Sequence, residues 1–136
     1  MACRAALGAL VMFAWTCSGC SGSPTAPSTL EGTWGGDHIS MSVGETTRVE
    51  LDCAHGSIAS PIAIDSQRQF GASGTFVHEH GGPVRIDEPE DAHPASYSGS
   101  VSGDRMVLTI RLTDSNQTIG TFSLTRGSQG RVVKCL

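Results

Sequence analysis

Large side chains are scarce in this chain. Aromatic residues make up 5% of it, and beyond residue 20 they are Trp34, Phe70, Phe76, Tyr97 and Phe122. A core built from so few large residues needs a covalent staple or close packing of small ones. Positive charge is scarce as well. Lys134 is the only lysine, and no stretch clusters basic residues, so the electrostatic footprint of a nucleic-acid binder is missing. No apolar run approaches the roughly 20 residues of a membrane-spanning helix. No helical stripe of apolar residues is present. Catalytic signatures are missing too. There is no Gly-x-Ser-x-Gly turn, no His-Glu-x-x-His helix and no glycine-rich phosphate loop opening a helix. The paired carboxylates of residues 87–91 lie in a loop, a poor support for catalytic geometry. The sequence therefore reads as non-enzymatic, with no cofactor required.

What is present begins with an export signature. Arg4 precedes an apolar stretch over residues 5–15, and Ser18-Gly19-Cys20 follows. The stretch is too short to span a bilayer and fits the core of a signal peptide. Two processing readings stand side by side. Small residues before a cysteine resemble a bacterial lipoprotein signal with Cys20 as lipid acceptor, although Cys17 stands where such signals carry leucine. Ordinary cleavage in the same region is the alternative. The expected organisation is a signal peptide over 1–19, a Ser/Pro-rich tether over 20–29 and a β domain over 30–136. The expected location is the periplasm or the cell surface, reached through a lipid anchor in the membrane. Without the signal the chain keeps eight basic against thirteen acidic residues.

Export also bears on the cysteines. Cys53 and Cys135 remain as a pair in an oxidising compartment, which predicts a disulfide. The competing reading, a metal-bound thiolate, lacks a second cysteine at ligand spacing.

The domain reads as β throughout. Residues 38–43 and 48–53 alternate and form a predicted hairpin, with Cys53 on the inner face. Residues 61–64 make a short strand at best, limited by Pro61. Residues 69–78 carry Phe70, Ala72, Gly74 and Phe76 in one phase, and residues 96–101 carry Tyr97, Gly99 and Val101. Met106, Leu108, Ile110 and Leu112 alternate with polar partners after the Ser102-Gly103-Asp104 turn. Residues 117–125 follow, and 131–135 read as the closing strand. Seven or eight antiparallel strands at roughly 8–12-residue spacing predict an all-β, up-and-down barrel, with a sandwich as the alternative.

Two segments carry a family resemblance. Leu30-Glu31-Gly32-Thr33-Trp34 resembles the Gly-x-Trp opening strand of lipocalin-like and avidin-like (calycin) barrels. Ile119-Gly120-Thr121-Phe122-Ser123-Leu124-Thr125-Arg126 is similar to a late strand of small exported bacterial barrel domains. The resemblance implies that Trp34 plugs one barrel end under Arg126 or Arg131, a cation–π contact. The whole looks like an uncharacterised bacterial lipoprotein, with no activity to carry over.

One loop stands out for chemistry. His78-Glu79-His80, an acidic stretch over 87–91 and His93 lie between the Phe76 and Tyr97 strands. Long connections of this kind are often functional. If the strand continues to His80, both imidazoles share a face. Zinc or copper would then take His78 and His80, with His93 or His55 or a carboxylate as third donor. The bland reading is solvated histidines beside a soluble acidic face. Three functions remain open: a binding module for a small molecule or protein, a zinc- or copper-binding lipoprotein, and an inhibitor-like surface protein.

Overall fold

The computed structural model describes residues 28–136. The export segment, Cys20 and the tether up to residue 27 lie outside the described residues. The fold is all-β. Its strands are β1 (Ser28–Thr29), β2 (Gly32–Gly36), β3 (Ile39–Val43), β4 (Thr47–Leu51), β5 (Ala54–Ile58), β6 (Ala63–Ile64), β7 (Gln69–His78), β8 (Asp91–Ser102), β9 (Arg105–Leu112) and β10 (Thr118–Arg126). Eight of them close an antiparallel barrel in the order β10-β2-β3-β4-β5-β7-β8-β9, the barrel that the spacing of alternating segments predicts. β1 and β6 pair separately.

Alternation sets the lumen. Trp34, Met41, Val49, Tyr97, Met106, Leu108 and Ile110 point inward and are fully buried. Tyr97 brings a polar group into the middle of the lumen, and its hydroxyl donates to the Thr75 carbonyl at 2.6 Å. That bond satisfies a group that would be costly to bury alone, and burial pushes the phenol pKa well up. Gly56 makes the room, since a Cβ there would overlap the Tyr97 hydroxyl. The barrel thus fills its interior by matching one large ring to a glycine two strands away.

The two ends differ. At one end β1 and β6 fold over the opening, and Leu30, Ile62 and Ile64 are buried beneath them. Trp34 lies just inside. Its indole Nε1 donates to the Glu31 carbonyl at 2.9 Å, and the Arg126 guanidinium sits 4.4 Å from the ring centroid. Arg131 is elsewhere, paired with Asp37 at 2.8 Å. The tether enters at this closed end, through β1. The opposite end is a mouth formed by the β2–β3, β4–β5, β7–β8 and β9–β10 connections.

Several expectations are corrected. Residues 131–135 do not close the barrel. Seam closure belongs to β10 on β2, and the tail makes only an isolated bridge from Arg131 to Asp37. The tail instead straps the mouth. Arg131 bonds Gly36 and His38, Val133 bonds the Cys53 amide, and Cys135 is disulfide-bonded to Cys53 with Cα atoms 4.9 Å apart. Cys53 is not an inward strand residue. It occupies the β4–β5 turn with φ 50°, which lifts its sulfur to the rim where the tail passes. β5 is a strand that periodicity does not announce, because its inward residues are Ala54, Gly56 and Ile58, two of them too small to signal burial. β8 starts at Asp91, inside the acidic run, because β7 extends far enough to pair His78 with Asp91.

Candidate functional site at the barrel mouth

Strand phase brings three polar residues to the inner rim of the mouth. His78 follows Phe76 in the inward phase of β7. Asp91 and His93 precede Ala95 in the inward phase of β8. Register then pairs His78 with Asp91 and Phe76 with His93. One nitrogen from each histidine and one Asp91 oxygen lie within 4.8 Å of one another. The imidazoles of His78 and His93 meet edge to face with centroids 5.9 Å apart, and the Phe76 ring backs His78 at 4.9 Å.

His93 is held from behind. Its Nδ1 lies 2.7 Å from Asp114 Oδ2, in the β9–β10 connection, and its Nε2 lies 3.0 Å from Asp91 Oδ1. Hydrogen bonding to Asp114 raises the His93 pKa above the ordinary imidazole value, and the same bond holds the Asp114 carboxyl below its own.

The other expected ligands are not in this group. β7 ends at His78, so the condition for His78 and His80 to share a strand face fails. His80 turns into the loop, with Nε2 3.0 Å from Glu88 Oε1 and Nδ1 3.1 Å from the Gly81 carbonyl. His55 points outward from β5. Its Nδ1 lies 2.7 Å from Glu79 Oε1, and that carboxylate also meets Lys134 at 3.1 Å. Burial disfavours the Glu79 charge, but the bonds from His55 and Lys134 outweigh it and lower the pKa. His38 sits on the far rim, with Nδ1 2.5 Å from Asp52 Oδ2. All five histidines are therefore at the mouth end, and four of them, His38, His55, His80 and His93, pair with a carboxylate. Asp91 and Asp114, which the spacing of histidines could not single out, are the residues that complete the arrangement.

Beside the triad the mouth opens into a cup of about 310 Å³. Leu51, Ala54, Phe76, Ile119 and Phe122 give it an apolar floor, and His38, Asp52, His78 and Glu79 line its edge. Two local features shape this floor. A register shift between Thr118 and Gly120 marks a bulge, which brings Ile119 round to the mouth. The Phe122 ring lies over Gly120, where a Cβ would stand 3.1 Å from a ring carbon.

Fold and site together define a small antiparallel barrel with one closed end and one open, histidine-rimmed mouth. No protein-family model, no curated protein and no solved structure matches the chain.

Proposed function

We propose that this protein is an exported, lipid-anchored, non-enzymatic binding module that receives a small amphipathic molecule at the barrel mouth. The observation that carries the reading is the asymmetry of the barrel. One end is sealed by Leu30, Ile62 and Trp34, while the other presents an apolar-floored cup edged by charged and imidazole groups. Concave apolar surface with a few polar groups at its edge is what small-molecule sites are made of. The deeper lumen is filled by side chains, so the cup sets the size class of the ligand. The path of the chain supports the anchored arrangement. It joins the barrel at the closed end through β1, so a membrane attachment at Cys20 would leave the mouth facing outward.

Native mass spectrometry of the purified protein with a panel of small aromatic and branched-chain acids and amines is expected to show one-to-one adducts. Ile119→Asp, at a half-buried bulge position, is expected to abolish them while the barrel stays folded. Adducts that survive this substitution, or none from the whole panel, reject the cup.

The anchor has its own test. The wild-type protein is expected in the membrane fraction and Cys20→Ser in the soluble fraction. A soluble wild type with an unmodified N-terminus removes the lipid anchor and leaves the cup untouched.

A further inference from the structure

His78 edges the cup and also belongs to a second group of polar residues on the rim. His78, Asp91 and His93 offer two imidazole nitrogens and a carboxylate oxygen within 4.8 Å of one another. We propose that these three residues bind a divalent transition metal ion, zinc or copper(II), with Asp114 as the positioning residue behind His93.

The donor set selects the metal class. Two imidazoles and one carboxylate suit zinc and copper(II), whereas magnesium and calcium prefer all-oxygen shells. The spacing is close to what is needed. Zinc at about 2.0–2.1 Å from each donor sets tetrahedral ligand atoms roughly 3.3 Å apart. The His93 Nε2 to Asp91 Oδ1 separation is 3.0 Å, so this pair is already near that spacing. The remaining gap is closed by rotating His78, an exposed side chain at the last residue of β7.

Asp114 supplies what a fortuitous cluster lacks. A carboxylate on the Nδ1–H of a metal-binding histidine fixes its tautomer and orients its Nε2 towards the ion. Asp114 is 2.7 Å from His93 Nδ1 and comes from a different hairpin, so the fold brings a supporting shell to the site. Glu88 and Glu90 line a pocket together with His78 and Asp91, and Asp114 lies behind His93, so the surrounding charge favours a cation there. With three protein donors, zinc keeps at least one position open. His78 borders both the ion position and the cup, so that open position lies beside the ligand floor.

Calorimetry with zinc chloride on the purified protein is expected to show one equivalent bound. His78→Ala and His93→Ala should each weaken binding by more than about a hundredfold, and Asp114→Asn by about 10–100-fold. His55→Ala and His80→Ala should leave it unchanged, because both rings are committed outside the triad. Magnesium and calcium should give no heat. Cobalt(II) bound to the wild type should show the strong visible bands of a four-coordinate site, a readout that needs no variant to fold. No zinc uptake, a six-coordinate cobalt spectrum, or a loss that follows His80 or His55 instead of His93 would overturn the proposal. The metal and the cup ligand are measured separately, so either can fail while the other stands.

Discussion

Cys135→Ser is expected to lower the melting temperature by roughly 10–20 °C, the largest effect of any single substitution outside the barrel interior. The Cys53–Cys135 bond spans 82 residues of sequence and encloses five of the eight barrel strands, β5 and β7 to β10. On the chain-entropy account, cross-linking a loop of that length removes unfolded-state freedom equivalent to about 4.5 kcal/mol. The native state loses little when the bond is cut. Val133 still holds Asp52 at 2.7 Å, and Lys134 still holds the Ala54 carbonyl at 3.0 Å. The last residues fray, and that fraying returns part of the entropy, so 4.5 kcal/mol is the ceiling. Cys135 is the residue to change, because Cys53 has positive φ in a tight turn and its replacement would mix backbone effects with loss of the bond. Thermal unfolding of the oxidised protein, the reduced protein and Cys135→Ser checks the prediction. The last two should coincide. A drop of less than about 5 °C would mean that the reduced unfolded chain is compact enough to have lost most of that freedom already.

The outline of the barrel was legible in the sequence where inward residues are large. β9 is the clearest case, with Met106, Leu108, Ile110 and Leu112 buried and Val107 on the outer face 44% exposed. Legibility failed where the barrel economises on side-chain volume. β5 turns Gly56 inward where the Tyr97 ring from β8, two strands along the wall, fills the space, and no local pattern records a ring supplied from another strand. The tail misled for a related reason. Residues 131–135 have the composition of a strand, but β10 already holds the place on β2 that such a strand would take.

The site was legible as an inventory and not as a constellation. His78, His80 and His93 drew attention by spacing along the chain, whereas their neighbours are set by register across it. The β7–β8 ladder runs from Gln69 opposite Ser100 to His78 opposite Asp91. That register puts the partners of His78 in the acidic run and just beyond it, while His80 falls past the end of the strand. Asp114 lies just past β9, and continuation of the β8–β9 ladder beyond Ala95 opposite Leu112 brings it to His93. Residue types announced imidazole chemistry, but the registers of β8 with β7 on one side and β9 on the other decided which imidazoles and carboxylates meet.

Trp34→Ala is expected to destabilise the protein by about 3–5 kcal/mol, the usual cost of deleting a large buried ring. Position makes the upper part of that range the expectation. Trp34 is fully buried just inside the sealed end, and its ring fills space that Leu30, Ile62 and Ile64 roof over. It also stands at the thinnest part of the barrel wall. The β10–β2 seam is held by two residue pairs, Thr125 with Gly35 and Arg126 with Trp34. Loss of the ring removes the surface under Arg126 and the Nε1 bond to Glu31 together, so the seam and the plug weaken in one step. Trp34→Phe keeps an aromatic plug and loses the indole donor, so a smaller cost of about 1–2 kcal/mol is expected. Arg126→Ala should cost about 0.5–1 kcal/mol, since its guanidinium is partly exposed and its ion pair with Asp104 is screened. In a double-mutant cycle, Trp34→Ala and Arg126→Ala should be less than additive, because each removes the same stacked contact. Denaturant unfolding supplies all four free energies, and hydrogen exchange locates the change, with amides of β2 and β10 expected to lose protection first. Full additivity would show that the stacked guanidinium contributes nothing to the seam. A cost below about 1.5 kcal/mol for Trp34→Ala would show that the roof collapses into the space the ring leaves, and the sealed end would then be held by its backbone pairing.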